Sequence, residues 1–319
     1  FAAASSAGLG PDVLIGIETV FAHRLYDSGF LANLDETAVD WTVFERSTLQ
    51  AVQRGADVRI GVPLNAYVNV MFYNRALIEE APQSFEALQA VSENGRKVGL
   101  PARFYFSYWG IGGLDGSVFE GNELAETSAT GMQNWLEWLV AFQQTPGAVL
   151  SPDTAALADS FARGDLALLV ADSLKLATFE EQLGSEQLGV ATIPNFPAAQ
   201  PFSNVELMVV NSASVQLEAA ARLSNFMSNE AQQRKLARTT SGRVPVNRSV
   251  TLNPTLFPRV SVILEQNQAA VVPTKQQDDL LNLLINAADP VYQLVLEGIV
   301  TPEEGAEMIV DEVIGEVGR

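Results

Sequence analysis

The chain has 319 residues, which is enough for two domains of about 150 residues each. It carries 38 acidic and 19 basic side chains, and its formal net charge of -19 repels nucleic-acid phosphates and anionic lipid surfaces. It has no cysteine and one histidine, so thiol nucleophiles, disulfides, structural zinc and iron–sulfur clusters are excluded. We therefore expect a two-domain protein that binds no nucleic acid.

The first residues are typical of the end of a helix followed by a buried strand. Residues 1–6 continue a helical pattern and lead into a glycine-rich turn. Residues 13–17 are almost continuously apolar, which predicts a parallel strand buried on both faces. No run of about 18 apolar residues occurs, so we expect no transmembrane segment in this chain.

Strand and helix signals alternate along the rest of the chain, which predicts α/β layers with mostly parallel sheets. Predicted strands cover residues 13–17, 58–62, 69–73, 98–101, 166–171, 188–193, 207–211 and 242–245. Predicted helices cover residues 20–28, 45–54, 85–94, 129–143, 153–163, 174–183, 216–227, 231–239, 258–266, 280–296 and 302–317.

Two segments of the sequence indicate more than a helix or a strand. Residues 57–74 form consecutive extended runs with Pro63 between them, and a segment this long can pass from one domain to another. Near the C-terminal end, Thr301, Pro302 and Glu304 have the spacing of a helix N-cap, a first-turn proline and a capping box.

Patterns associated with catalysis are weak in this sequence. The single histidine, His23, has no nucleophile motif or metal-ligand spacing around it, so we interpret it as a surface or interlobe residue. The glycine-rich segment 110–116 follows an aromatic run instead of a strand, which favours a flexible turn over a phosphate-binding loop. We therefore predict no enzymatic activity, no metal site and no cofactor.

The aromatic run at residues 103–110 is the strongest candidate for a ligand contact. We assign Phe104 and Phe106 to the core, because so dense a run must bury some of its rings. Tyr105, Tyr108 and Trp109 remain open between core positions and the wall of a cleft, where a ring face can stack on a sugar or another flat apolar group.

Several motifs, in order along the chain, resemble the family 1 extracellular solute-binding proteins, which are the maltose-binding-protein-like receptors of ABC importers. They are GPDVLIG at 10–16, SGFLANLD at 28–35, IGVPLNAYVNVMFYNRALIEEA at 60–81, FARGDLALLVADS at 161–173, LGVATIPNFP at 188–197 and the segment 219–250. The family's N-terminal strand, helix and strand have no counterpart before the first motif. We therefore expect the edge of strand 13–17 to be open, covered by another element or chain, or completed by an upstream segment.

The resemblance implies a two-lobed, periplasmic-binding-protein-like α/β fold of type II, with discontinuous lobes joined by crossing strands. The first lobe is expected to comprise residues 1–66 and 206–270, and the second residues 67–205 and 271–319. It also implies a periplasmic or extracellular location, with a membrane tether through an upstream segment as a further option.

As a function, the resemblance implies a receptor domain that binds a small solute, most often a sugar, in an interlobe cleft and delivers it to an ABC permease. Residues that match in position and chemistry give the expected ligand wall: Glu18, Tyr67, Tyr105, Tyr108, Trp109, Asp172 and Glu206. The alternative is a ligand-free interaction or regulatory domain of the same fold, fused to or docking on a permease or sensor. Leu174 motivates this alternative, because sugar-binding members carry a tryptophan there.

Overall fold

The computed structural model describes residues 1–239 and 241–318 of the chain. Its strands are β1 (Val13–Glu18), β2 (Val62–Asn74), β3 (Val98–Pro101), β4 (Phe119–Glu120), β5 (Glu123–Leu124), β6 (Ala148–Ser151), β7 (Leu168–Asp172), β8 (Leu188–Ala191) and β9 (Ser203–Val210). Its helices are α1 (Ala2–Ser6), α2 (Thr19–Asp27), α3 (Arg46–Ala51), α4 (Phe85–Glu93), α5 (Phe104–Ser107), α6 (Trp109–Gly113), α7 (Ser128–Gln143), α8 (Thr154–Ala162), α9 (Leu176–Leu183), α10 (Leu217–Ser228), α11 (Glu230–Leu236), α12 (Pro258–Ala269), α13 (Lys275–Leu296) and α14 (Pro302–Val317).

The chain divides into two compact units. Unit 1 comprises Phe1–Tyr67, Ser203–Leu264 and Val272–Asp278, and unit 2 comprises Val68–Phe202, Glu265–Val271 and Asp279–Arg319. Strand β2 belongs to both, because it runs without interruption from Val62 to Asn74. The long extended segment predicted around Pro63 is therefore one strand that leads from the first unit into the second.

The sheet of unit 1 contains β1, β9 and the first part of β2, in that order. Strand β1 is antiparallel to β9, and a buried glutamine ties α11 to this sheet. Gln233 Nε2 donates to the Leu64 carbonyl at 2.7 Å, and its Oε1 accepts from the Val246 amide at 2.9 Å. Because the nitrogen and the oxygen of the Gln233 side-chain amide are both hydrogen-bonded, this residue holds the segment around Val246 beside β2.

Strand β1 differs from its prediction. It lies at the end of the strand order and pairs antiparallel with β9, and Ile15 is exposed. Its register shifts between Ile15 and Ile17, where Gly16 has a φ of +81° that favours glycine. The predicted parallel strand, buried on both faces, was wrong because an apolar run does not reveal the direction of its neighbour.

The sheet of unit 2 is mixed. The second part of β2 is antiparallel to both β7 and β8, whereas β3 is parallel to both β6 and β7. The prediction of mostly parallel sheets was therefore wrong, and strand β6 was not predicted. The predicted strand at 242–245 is reduced to one bridge between Ala66 and Val244 in unit 1.

The core of unit 2 is rich in aromatic side chains, which α6, α7, α13 and the start of α4 contribute. Phe85, Trp109, Trp135 and Tyr292 are fully buried there. At its C-terminal end, α14 packs along α7 and begins with the predicted capping box, since the Thr301 and Glu304 side chains each accept the other's backbone amide. In residues 1–239 and 241–318, we find no helix with the length and hydropathy that a membrane crossing requires.

Candidate functional site

Two glutamates lie side by side on the sheet of unit 1. Glu18 ends β1, and its Cα is paired with that of Glu206 on β9. Residues directly opposite in an antiparallel pair project from the same face, with their Cβ atoms about 5 Å apart. The β1–β9 register therefore brings together two predicted ligand contacts that are far apart in sequence.

Each glutamate has its own hydrogen-bond donor. The Tyr67 hydroxyl, from β2, donates to Glu18 Oε1. Arg243 donates to Glu206 through two parallel bonds, Nε to Oε2 and Nη2 to Oε1, both at 2.8 Å. Tyr67 and Glu206 are buried, whereas the Arg243 side chain is 33% exposed.

We call Glu18, Tyr67, Glu206 and Arg243 the carboxylate cluster. It combines two carboxylates, which accept hydrogen bonds, with a guanidinium group and a phenol, which donate them. Such a set can bind hydroxyl groups, and it contains neither an activated nucleophile nor a metal-ligand pattern. Sequence analysis predicted three of its members and missed Arg243, which lies 37 residues after Glu206.

In unit 2, a second polar group surrounds Asp172 at the end of β7. Asp172 Oδ1 accepts from the Leu174 amide at 2.8 Å and caps the 3-10 turn Ser173–Lys175. Asn69, opposite Asp172 on β2, donates through Nδ2 to the Phe106 carbonyl at 3.3 Å. Sequence analysis assigned Phe106 to the core, but the structure leaves Phe106 partly exposed. Sequence analysis did not select Asn69 as a site residue.

Tyr105 is the predicted aromatic contact that keeps part of its surface accessible. Its ring stacks on Phe202, with centroids 5.5 Å apart and an angle of 22° between the planes. It also meets the ring of Phe106 edge-on at 5.2 Å. These packing contacts hold Tyr105 as a partly buried aromatic surface on unit 2.

Tyr108 and Trp109 do not provide the exposed ring faces that we expected. Tyr108 is 5% exposed and stacks on Phe202 at 3.7 Å, and burial raises the pKa of its hydroxyl well above the ordinary value. Trp109 is fully buried, and its Nε1 donates to the Phe106 carbonyl at 2.8 Å. The run forms helices α5 and α6, whose successive side chains point about 100° apart, so some rings must face the core.

His23 also differs from its predicted position. It is 1% exposed inside unit 1, with Nε2 2.8 Å from the Ala51 carbonyl oxygen. Desolvation lowers its pKa from 6.5 to about 4, so the imidazole is neutral at physiological pH. The described parts of the chain contain no group of three or more acidic or histidine side chains that could hold a metal ion.

The family model and the curated relatives that match this chain all describe solute-binding proteins. The family model for bacterial extracellular solute-binding proteins matches residues 1–258. A maltooligosaccharide ABC transporter solute-binding lipoprotein of Streptococcus pneumoniae is 26% identical over 215 residues, which cover 59% of this chain and 49% of that protein. The chain spans about half the length of the curated relatives it matches.

Solved structures give the fold. The GacH receptor of Streptomyces glaucescens, solved unliganded and with acarbose, matches with a TM-score of 0.81 at 20% identity, covering 98% of this chain and 85% of that one. The maltose-maltodextrin binding protein of Alicyclobacillus acidocaldarius matches with a TM-score of 0.77 at 21% identity, covering 98% and 87%. The chain therefore has the two-lobed, periplasmic-binding-protein-like α/β fold of type II, as the sequence motifs predicted.

Proposed function

This chain belongs to the family of bacterial extracellular solute-binding proteins, and we propose that it is the solute-binding receptor of an ABC importer with a sugar as its ligand. The observation that carries the proposal is the family match across residues 1–258. Such a receptor binds and releases its solute without a chemical step. Besides the solute, its proposed partner is an ABC permease, which accepts the solute from the receptor.

A maltooligosaccharide is the sugar that the comparisons support best. The curated Streptococcus relative is named for this ligand, and the structural neighbours include proteins solved with maltotetraose and maltopentaose. The carboxylate cluster is compatible with such a solute, because carboxylates accept hydrogen bonds from sugar hydroxyls and a guanidinium group donates to them.

Five predicted residues remain as proposed ligand contacts. Glu18, Tyr67 and Glu206 offer polar groups from unit 1, whereas Tyr105 offers a ring and Asp172 a carboxylate from unit 2. A ring that can stack and carboxylates that accept hydrogen bonds both suit a sugar, which has apolar faces and polar edges. We also propose that units 1 and 2 correspond to the family's two lobes.

We propose a location outside the cytoplasmic membrane, periplasmic or extracellular, with a tether to that membrane. The family description supports the extracellular side, and the curated Streptococcus relative is named a lipoprotein.

Calorimetric titration of the purified 319-residue chain tests the proposed ligand. Maltotetraose should bind with a stoichiometry of one and should raise the unfolding temperature. At about a hundred times its dissociation constant, a ligand adds about 2.7 kcal/mol to the free energy of unfolding. Cellotetraose is the matched control, because it has the same composition and a different glycosidic linkage. Failure to bind any maltooligosaccharide would refute the proposed ligand.

A second function has one specific observation in its favour. Because Tyr108 and Trp109 are buried, two of the three ligand contacts predicted from the aromatic run at 103–110 are occupied by packing inside unit 2. This favours an interaction or regulatory domain of the same fold that binds no solute and docks on a permease or sensor. A thermal-shift screen of sugars, polyols and amino acids separates the two functions, since the ligand-free domain would respond to none of them.

A further inference from the structure

Arg243 is held firmly in place by its backbone. The next residue, Val244, exchanges two hydrogen bonds with Ala66: the Ala66 amide donates to the Val244 carbonyl at 3.0 Å, and the Val244 amide donates back at 2.8 Å. Ala66 directly precedes Tyr67, so one backbone bridge positions both donors of the carboxylate cluster. The Arg243 side chain therefore reaches Glu206 from a fixed point on unit 1.

Without Arg243, the neighbouring negative charges of Glu18 and Glu206 would destabilise the sheet of unit 1. Like charges directly opposite each other in a sheet destabilise it, and a buried carboxylate needs a partner. Tyr67 supplies Glu18 with a neutral donor, so Arg243 is the single positive charge of the cluster. Its two parallel bonds fix both the position and the plane of the Glu206 carboxylate, which one bond from an ammonium group would not do.

We infer that Arg243 is a positioning residue for the solute. By holding Glu206 in one orientation beside Glu18, it presents two carboxylates at a fixed spacing to neighbouring hydroxyl groups of a sugar ring. This inference rests on the proposed function and adds to it a residue that determines affinity. A fixed pair of acceptors binds a diol better than mobile ones, because little side-chain freedom is lost on binding.

The test is calorimetric titration of maltotetraose into the full chain and its variants. Arg243→Met should weaken binding roughly tenfold or more, because the Glu206 carboxylate would then have to be ordered by the solute itself. Arg243→Lys should keep part of the affinity, because it retains the charge and loses the paired bonds. The matched control is Arg222→Met, also in unit 1, whose exposed side chain lies 3.8 Å from Glu218; it should bind like the wild type.

A double variant separates positioning from stability. Arg243→Met leaves the charge on buried Glu206 unpaired and should lower the unfolding temperature, whereas adding Glu206→Gln should restore that temperature without restoring affinity. Circular dichroism verifies that each variant is folded during titration. Unchanged affinity in folded Arg243→Met would overturn the inference, and so would full recovery of affinity in the double variant.

A ligand-free measurement distinguishes this inference from the proposed function. The Arg243 Nε–H group should exchange slowly in the wild type and rapidly in Glu206→Gln, which reports the ion pair directly by NMR. A wild-type chain that shows this protection but binds no maltooligosaccharide refutes the proposed ligand, and with it the role of Arg243 in sugar binding. Rapid exchange in the wild type refutes the fixed geometry itself.

Discussion

Acidification should destabilise unit 1 through protonation of its buried histidine. His23 is 1% exposed on α2, and its Nε2 contacts the Ala51 carbonyl oxygen at 2.8 Å. Desolvation is the main cause that lowers its pKa from 6.5 to about 4, and the positive charges of Arg54 and Lys275 add to it. The hydrogen bond to Ala51 and the charge of Asp27 act in the opposite direction.

The sign and the size of the effect follow from these values. Between pH 6.5 and about 4, the unfolded chain binds a proton at this histidine and the folded chain does not. The stabilisation is therefore complete above pH 6.5 and is lost progressively as the pH falls towards 4. The separation of the two pKa values corresponds to about 3 kcal/mol in the free energy of unfolding.

Urea denaturation of the wild type and of His23→Gln, between neutral pH and about pH 4.5, measures this contribution. Glutamine can still donate to Ala51 but does not titrate, so carboxylates common to both proteins cancel in the difference. The wild type should lose more stability on acidification than the variant. Because the chain has one histidine, its imidazole NMR signals need no assignment. Parallel curves, or a folded-state midpoint near 6.5, would refute the reasoning.

Three further substitutions should change stability in stated directions. Trp109→Ala should lower the free energy of unfolding, measured by urea denaturation, by about 3–5 kcal/mol and leave the affinity of the folded protein for solute unchanged. Weaker binding by a folded variant would restore Trp109 as a ligand contact. Thr301→Ala should cost about 1 kcal/mol in thermal denaturation by removing the cap that faces Glu304, and Thr301→Ser should cost less. Gly110→Ala should destabilise the protein strongly, since its Cβ would lie 2.2 Å from the Trp135 ring; a melting temperature equal to the wild type would contradict this packing.

Local signals predicted the helices better than the sheet. The capping box at Thr301 and Glu304 was predictable, because the residues that form it are three positions apart. Strand β6 was missed, because its four residues follow closely on the end of α7 and form too short an apolar run. The direction of β1 depends on its pairing with β9, which local patterns do not contain.

The candidate site shows the same limit. Glu18, Tyr67 and Glu206 were selected from motif positions, and the structure brings them together. Arg243 was missed because its partner is distant in sequence and arginine is common on surfaces. Trp109 was misplaced because an aromatic run has the same composition whether its rings face a ligand or a core.

The irregularity at Gly16 also has a consequence for intermolecular pairing along β1. Edge strands with long apolar stretches can template the growth of intermolecular sheets, and amyloid-forming segments are about six or seven residues long. Gly16, with its positive φ, coincides with the register shift that separates Val13–Ile15 from the rest of β1. We therefore expect Gly16 to limit the uninterrupted apolar stretch of β1 to the three residues Val13–Ile15, which is shorter than an amyloid-forming segment.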